Sequence, residues 1–307
     1  MNRRRRSSVA LGILAVAASV VSAASASQRV AVDASSVTLR VDDDGVALIT
    51  YAEAGGAVRH VLARPAGDGD EGATLELDRS GGWQMFGRQA WGRFRDTCGT
   101  YRGPPLVHLV AACTATDGTH WALQSWQRVQ PLRGVAPFRP EHEALELRVS
   151  RWSGPLAALE VYPNWTGGGR LQGLFGRLTY RGRPVYGERT PSPTRSDPKS
   201  RYVYIDTYNS AYGPGWKREG AKVTHVGSGG FCFSFFPIPA PRGYPGPMPT
   251  VPGNGQRHRV TAVGPGLTPD IRWEGPGLGA YDPDADARVN AVFDEILGAD
   301  RSCTDER

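Results

Sequence analysis

The chain has 307 residues, with 36 Lys and Arg against 30 Asp and Glu and a formal charge of +6. Four of those bases are Arg3–Arg6, and without them 32 basic residues face 30 acidic ones, which leaves no general electrostatic case for nucleic acid. No RRM, KH or helix-turn-helix pattern occurs, and after residue 26 no stretch has the roughly 20 apolar residues of a membrane-spanning helix.

The first 26 residues read as a secretory signal peptide. Arg3–Arg6 form the basic region, Val9–Val21 the apolar region and Ala24-Ser25-Ala26 a small-residue cleavage site. The expected location is therefore secreted, extracellular or cell-envelope associated. In that oxidising setting Cys98, Cys113, Cys232 and Cys303 favour disulfides over metal. Four cysteines allow three pairings, and nearness along the chain favours Cys98–Cys113, leaving Cys232–Cys303.

Taken in order, the mature chain shows short alternating runs bounded by turn residues, and no helical period before Tyr281. Ser36–Val41, Val46–Glu53 and Ala57–Arg64 are strands joined at Asp44-Gly45 and Gly55-Gly56. Ala73–Asp78 is a fourth. Gly81–Tyr101, rich in aromatics and arginine, has no assignable structure. Leu106–Thr116 and Thr119–Gln130 flank Asp117-Gly118; a two-residue turn there would set His120 opposite Ala115 and His108 opposite Gln127, far apart along the ladder. Glu143–Trp152, Ala157–Pro163 and Leu171–Tyr180 continue the pattern, and Arg181-Gly182 makes a turn.

The densest stretch is Arg201–Pro237. In Arg201–Tyr208, Val203 and Ile205 alternate with Tyr202, Tyr204, Asp206 and Tyr208, so one face of a strand carries three phenols and a carboxylate. Asn209–Gly215 reads as a shaped loop presenting Tyr212 and Trp216, because Gly213, Pro214 and Gly215 interrupt a strand. Strands at Lys222–Val226 and Phe231–Phe236 would complete a meander.

Two residue groups are candidates for function. Tyr202, Tyr204, Tyr208, Tyr212 and Trp216, with Asp206 and Asn209 to take hydroxyl hydrogen bonds, suit a sugar-stacking site; an aromatic second core accounts for the same rings. Asp206 with Glu219, Glu160 or His225 is the one acid or acid–imidazole pairing worth testing for hydrolysis. Asp282-x-Asp284-x-Asp286 begins like a calcium loop but lacks its glycine and glutamate, and a helix cap explains it; no cofactor is expected.

Residues 238–280 read as a Pro/Gly-rich extended segment, and residues 281–307 as a helix and tail packed on the sheet. Asp282 is the N-cap, Pro283 the first helical residue, Gly298 the stop, and Val289, Val292, Phe293, Ile296 and Leu297 the apolar stripe. The fold expected is all-β: a two-sheet antiparallel sandwich over residues 27–237, or two packed β units, with one short C-terminal helix.

The runs GRLTYRGRPVYG at Gly176–Gly187, YIDTYNSAYGPGWKRE at Tyr204–Glu219 and the GGFCFSFFP end resemble uncharacterised secreted proteins of high-GC actinobacteria. The resemblance spans about Leu171–Pro237, implies export and a shared central sheet, and carries no activity. The expectation is a non-catalytic binding or envelope-associated module with a cell-wall or extracellular polysaccharide as partner. A secreted hydrolase centred on Asp206 and a purely structural envelope protein are the alternatives.

Overall fold

The computed structural model describes residues 27–66, 74–128, 144–166, 171–185, 188–189, 201–210, 213–220, 224–225, 228–235 and 255–298. Residues 1–26, the expected signal peptide, lie outside them with Tyr212 and Cys303, as do the side chains of Tyr202 and His225.

In chain order the first strands are β1 (Gln28–Val32), β2 (Ser35–Val41), β3 (Ala47–Ala52), β4 (Val58–Pro65) and β5 (Leu75–Asp78). After the short helix α1 (Trp83–Phe86) come β6 (Gly99–Thr100), β7 (Leu109–Thr114), β8 (His120–Trp126) and β9 (Glu146–Trp152). Next are β10 (Ala158–Thr166), β11 (Leu171–Tyr180), β12 (Arg183–Pro184), β13 (Glu188–Arg189) and β14 (Arg201–Ser210). The chain continues through β15 (Gly213–Gly220), β16 (Thr224–His225), β17 (Gly230–Phe235), β18 (Arg257–Ala262) and β19 (Ile271–Pro276), and closes with helix α2 (Pro283–Leu297).

These strands make four antiparallel sheets: β1-β9-β8-β7-β6, β2-β3-β4-β5, β10-β11-β17-β16 with β12 on β11, and β14-β18-β19 with β13 and β15 on β14. The all-β expectation holds, and the sheets pack as two sandwiches. Val30, Ile49, Val61, Trp121, Leu123 and Val149 fill the space between the first two. Val161, Leu174, Val203, Ile205, Phe231 and Val260 fill it between the other two.

Three hairpins share one turn. Asp42 pairs with Val46, Glu53 with Ala57 and Ala115 with Thr119, each around a three-residue loop whose last member is a glycine at positive φ: Gly45, Gly56 and Gly118. A left-handed third residue is what such loops require, and glycine takes it without a Cβ clash. The extra residue corrects the expected register. His120 lies opposite Thr114, not Ala115, and a further irregularity sets Leu109 opposite Gln124.

The unassigned segment also has a structural role. Both faces of β3 and β4 are buried, because Met85, Ala90, Trp91 and Phe94 cover Val46, Leu48 and Leu62 on the side away from the first core. Asp78, 1% exposed, anchors this cover by accepting from Ser80 N (2.7 Å) and Met85 N (2.9 Å). Trp91 stacks on His60 at 4.0 Å.

Helix α2 begins as expected, with the Asp282 carboxylate accepting from the amides of Asp284 (2.9 Å) and Ala285 (3.1 Å). It lies on β10 and β11: Phe293 meets Phe175 edge to face at 4.7 Å, and the Asp286 carboxylate accepts from Trp165 N at 2.8 Å. Asp282 and Asp286 thus have backbone partners. Among the described residues no group of three candidate ligands could hold a metal, and no helix is long and apolar enough to cross a membrane.

Three expectations are corrected. Residues 257–276 are not an extended arm: β18 is a central strand, with Val260 and Ala262 fully buried. The shaped loop expected at Asn209–Gly215 is largely strand, because β14 runs to Ser210 and β15 begins at Gly213. Positive φ at Asn209, Gly213 and Gly215 absorbs the irregular register, and Pro214 is exposed on an edge strand, where its missing N–H breaks no ladder bond. Nor do Arg201–Phe236 form a meander, for β14 and β15 belong to one sheet while β16 and β17 pair in the sheet opposite.

Cys98–Cys113 is a disulfide, as expected, with Cα atoms 5.8 Å apart. Cys232 is also disulfide-bonded. The expected Cys232–Cys303 pairing lies outside the described residues.

Candidate functional site

Strand pairing settles which side chains share the outer face of the sheet formed by β15, β14, β18 and β19. Residues directly opposite one another project from the same side, and Trp216, Tyr208 and Arg257 make one row across it. Arg218, Asp206, Arg259 and Glu274 make the next. Tyr204, Thr261 and Arg272 make a third. Ile205, Thr207, His258 and Val260 point the other way, into the core.

The third row lies against the first sandwich. Tyr204, 4% exposed, meets Trp126 edge to face at 4.8 Å and has the Arg218 guanidinium 4.8 Å from its ring centroid. His108, in a left-handed conformation at φ 53°, stacks on Trp126 at 5.2 Å. Burial, and after it the charge of Arg272, pushes the His108 pKa down to about 4, so the ring is neutral at physiological pH. Its Nε2 is buried without a partner.

The first row stays accessible. Tyr208 and Trp216 are half-buried, with ring centroids 5.2 Å apart, and Arg257 is exposed. Trp216 carries the Arg259 guanidinium 3.8 Å from its centroid and that of Arg257 at 5.8 Å.

The expected ligand residues thus separate. Tyr208 and Trp216 form a half-exposed aromatic pair. Tyr204 is sealed beneath Trp126, so it belongs to the aromatic-core alternative. Asn209 shapes the hairpin: its side chain accepts from Gly215 N at 2.7 Å and donates to Gln256 at 3.2 Å. The Asp206 carboxylate accepts from Arg218 Nε at 2.5 Å, with side-chain exposures of 12% and 5%. It is half of a buried ion pair.

The other hydrolase candidates do not gather around Asp206. Glu219 is buried at the β15 bulge, and the His225 backbone pairs with Phe231 in the opposite sheet. Glu160 is half-exposed and bonded to Arg177 at 2.8 Å. Arg257, Arg259, Arg272 and Glu274 went unrecognised in the sequence, although Arg257-x-Arg259 and Arg272-x-Glu274 have the period of a strand face.

A concavity of about 560 Å³ opens between the Asp42–Asp44 turn and the Arg88–Arg95 stretch, with Leu62 and Phe94 in its lining. Burial, and then the charges of Asp44 and Asp43, hold the Asp42 carboxyl above its ordinary pKa. Three carboxylates there face Arg88, Arg93 and Arg95, so opposite charges on its two walls balance. No family model, curated protein or solved structure matches this chain. Its class rests on the fold alone: an all-β protein of four antiparallel sheets with a C-terminal helix.

Proposed function

We propose that this chain is a secreted, non-catalytic binding module of the cell envelope or extracellular space, with a polysaccharide lying across the outer face of β14 and β15. The observation that carries this reading is the half-exposed Tyr208–Trp216 pair, set beside the exposed Arg257 on the outer strand face. Aromatic rings offer sugars an apolar face, and neighbouring polar groups fix their orientation. Export, the polysaccharide partner and the absence of catalysis belong to this proposal; the engagement of Asp206 by Arg218 favours binding over hydrolysis.

The test is calorimetric titration of the mature protein with a panel of neutral and acidic polysaccharides, repeated on the Tyr208→Ala plus Trp216→Ala variant. Binding by the wild type and at least about tenfold weaker binding by a folded variant support the site, in line with stacking contributions of a kcal/mol or more. Equal binding by both proteins, or silence across the panel, sinks it.

A further inference from the structure

The outer face of β14, β15, β18 and β19 has an imbalance of charge. Among the described residues it presents four guanidiniums, Arg218, Arg257, Arg259 and Arg272, and two carboxylates, Asp206 and Glu274. Asp206 is closed against Arg218. Glu274 therefore serves the other three: Arg257 bonds it directly, Arg259 approaches to 3.4 Å and Arg272 to 4.0 Å. Four guanidiniums against two carboxylates leave this face with a net charge of +2, with Asp206 as well as Glu274 acting on Arg259.

Arg259 and Arg272 are only 18% and 27% exposed at the side chain, so water screens this excess poorly. Burial, and after it the charge of Arg272, lowers the pKa of Arg259. Arginine keeps its proton in proteins, so the patch cannot relieve itself by deprotonation. Contact with the Trp216 ring orients Arg257 and Arg259 without neutralising them. The adjoining Arg218, 5% exposed at the side chain, has a buried Nη1 with no acceptor. Neutral His108 adds no positive charge and compensates none.

We infer that this face selects acidic polysaccharide, with sugar carboxylates taken by Arg257, Arg259 and Arg272 while the sugar ring rests on Tyr208 and Trp216. The inference rests on the polysaccharide reading above and names its chemical class. A planar carboxylate matches the fork of a guanidinium in two parallel hydrogen bonds, which a neutral hydroxyl does not. Arg259 and Arg272 lie diagonally across adjacent strands, about 7–8 Å apart, which suits carboxylates repeated along a polymer.

The experiment titrates the mature protein with polygalacturonate, with neutral dextran and β-glucan, and with poly(glycerol phosphate), at about 20 and about 300 mM NaCl, a range over which screening rises steeply. Polygalacturonate binding at least about tenfold tighter than the neutral polymers, and weakened by salt, is the expected result. Arg257→Gln plus Arg272→Gln, exposed and half-buried positions that leave the core intact, should bring polygalacturonate down to the neutral level. Equal, salt-insensitive affinity for neutral polymers overturns the acidic selectivity and leaves the polysaccharide reading standing. Binding of poly(glycerol phosphate) with polygalacturonate silent overturns the carboxylate assignment. No binding by any polymer removes both.

Discussion

Arg128 and Asp270, 142 residues apart in sequence, form an ion pair with side chains 3% and 0% exposed, joining the first sandwich to the second. Asp270 also accepts from Trp126 Nε1 at 2.6 Å. Its backbone exchanges two hydrogen bonds with the Gln124 side chain, at 2.9 and 3.0 Å. Arg128 reaches Ser27 Oγ at 2.9 Å. These contacts hold the Trp126–His108 wall against the arginine-bearing sheet.

Removing one charge from such a pair strands the other in a dry environment. Asp270→Ala should lose about 3–5 kcal/mol. Adding Arg128→Met to that variant should recover part of the loss, because the stranded charge is gone. Urea denaturation monitored by tryptophan fluorescence reads both, and an Asp270→Ala variant as stable as wild type would contradict the buried-pair account.

His258 is fully buried, stacks on Phe235 at 5.2 Å, and has its pKa pushed down to about 4 by burial. His108 is lowered to about 4 as well. For a depressed histidine the unfolded chain binds more protons between the two pKa values, so stability is full above about pH 6.5 and falls as the pH drops toward 4. The His258 contribution is on the order of 3 kcal/mol. Melting temperature measured from pH 7 to 4 should fall through this window, and His258→Gln should flatten the slope; equal slopes in the two proteins would refute the assignment.

Gly176 sits between strands where no side chain fits. A Cβ there would lie 2.1 Å from the Glu160 carbonyl and 2.8 Å from the Phe231 ring. Gly118, at φ +83°, has open space around it. Gly176→Ala should therefore cost about 3 kcal/mol or more through overpacking, whereas Gly118→Ala should cost only about 1–2 kcal/mol of backbone strain. Reversal of that order in chemical denaturation would discredit the packing of β10, β11 and β17.

The Cys98–Cys113 bridge closes a segment of 15 residues, tying the chain before β6 to β7 at the edge of the first core. Replacing both cysteines with alanine should cost about 3 kcal/mol, the loop-closure value for this length. A double variant with an unchanged denaturation midpoint would show that pairing of β6 with β7 alone holds the edge.

What adjacent residues encode was legible before any fold was known. The glycine-closed turns at Gly45, Gly56 and Gly118, the cap and stripe of α2, and the alternation of Val203 and Ile205 with the polar face of β14 all depend on interactions within a few positions. Even there a register moved by one, because the Asp117-Gly118 signal did not distinguish a two-residue loop from the three-residue loop that forms.

The allocation of strands to sheets was not legible. β14 and β15 stay together while β17 crosses to the opposite sheet, and β18 leaves a Pro/Gly-rich stretch to become a central strand. Those outcomes depend on burial shared between residues 55 to 142 positions apart, as when Val260 joins Val203 and Ile205, or Asp270 meets Arg128. The same long-range pairing sealed Tyr204, spared Tyr208 and Trp216, and lined up Arg257, Arg259 and Arg272 beside them. Local residue order specifies turns, caps and faces because their partners are chain neighbours; the composition of a face spanning four strands depends on which distant segments exclude water together.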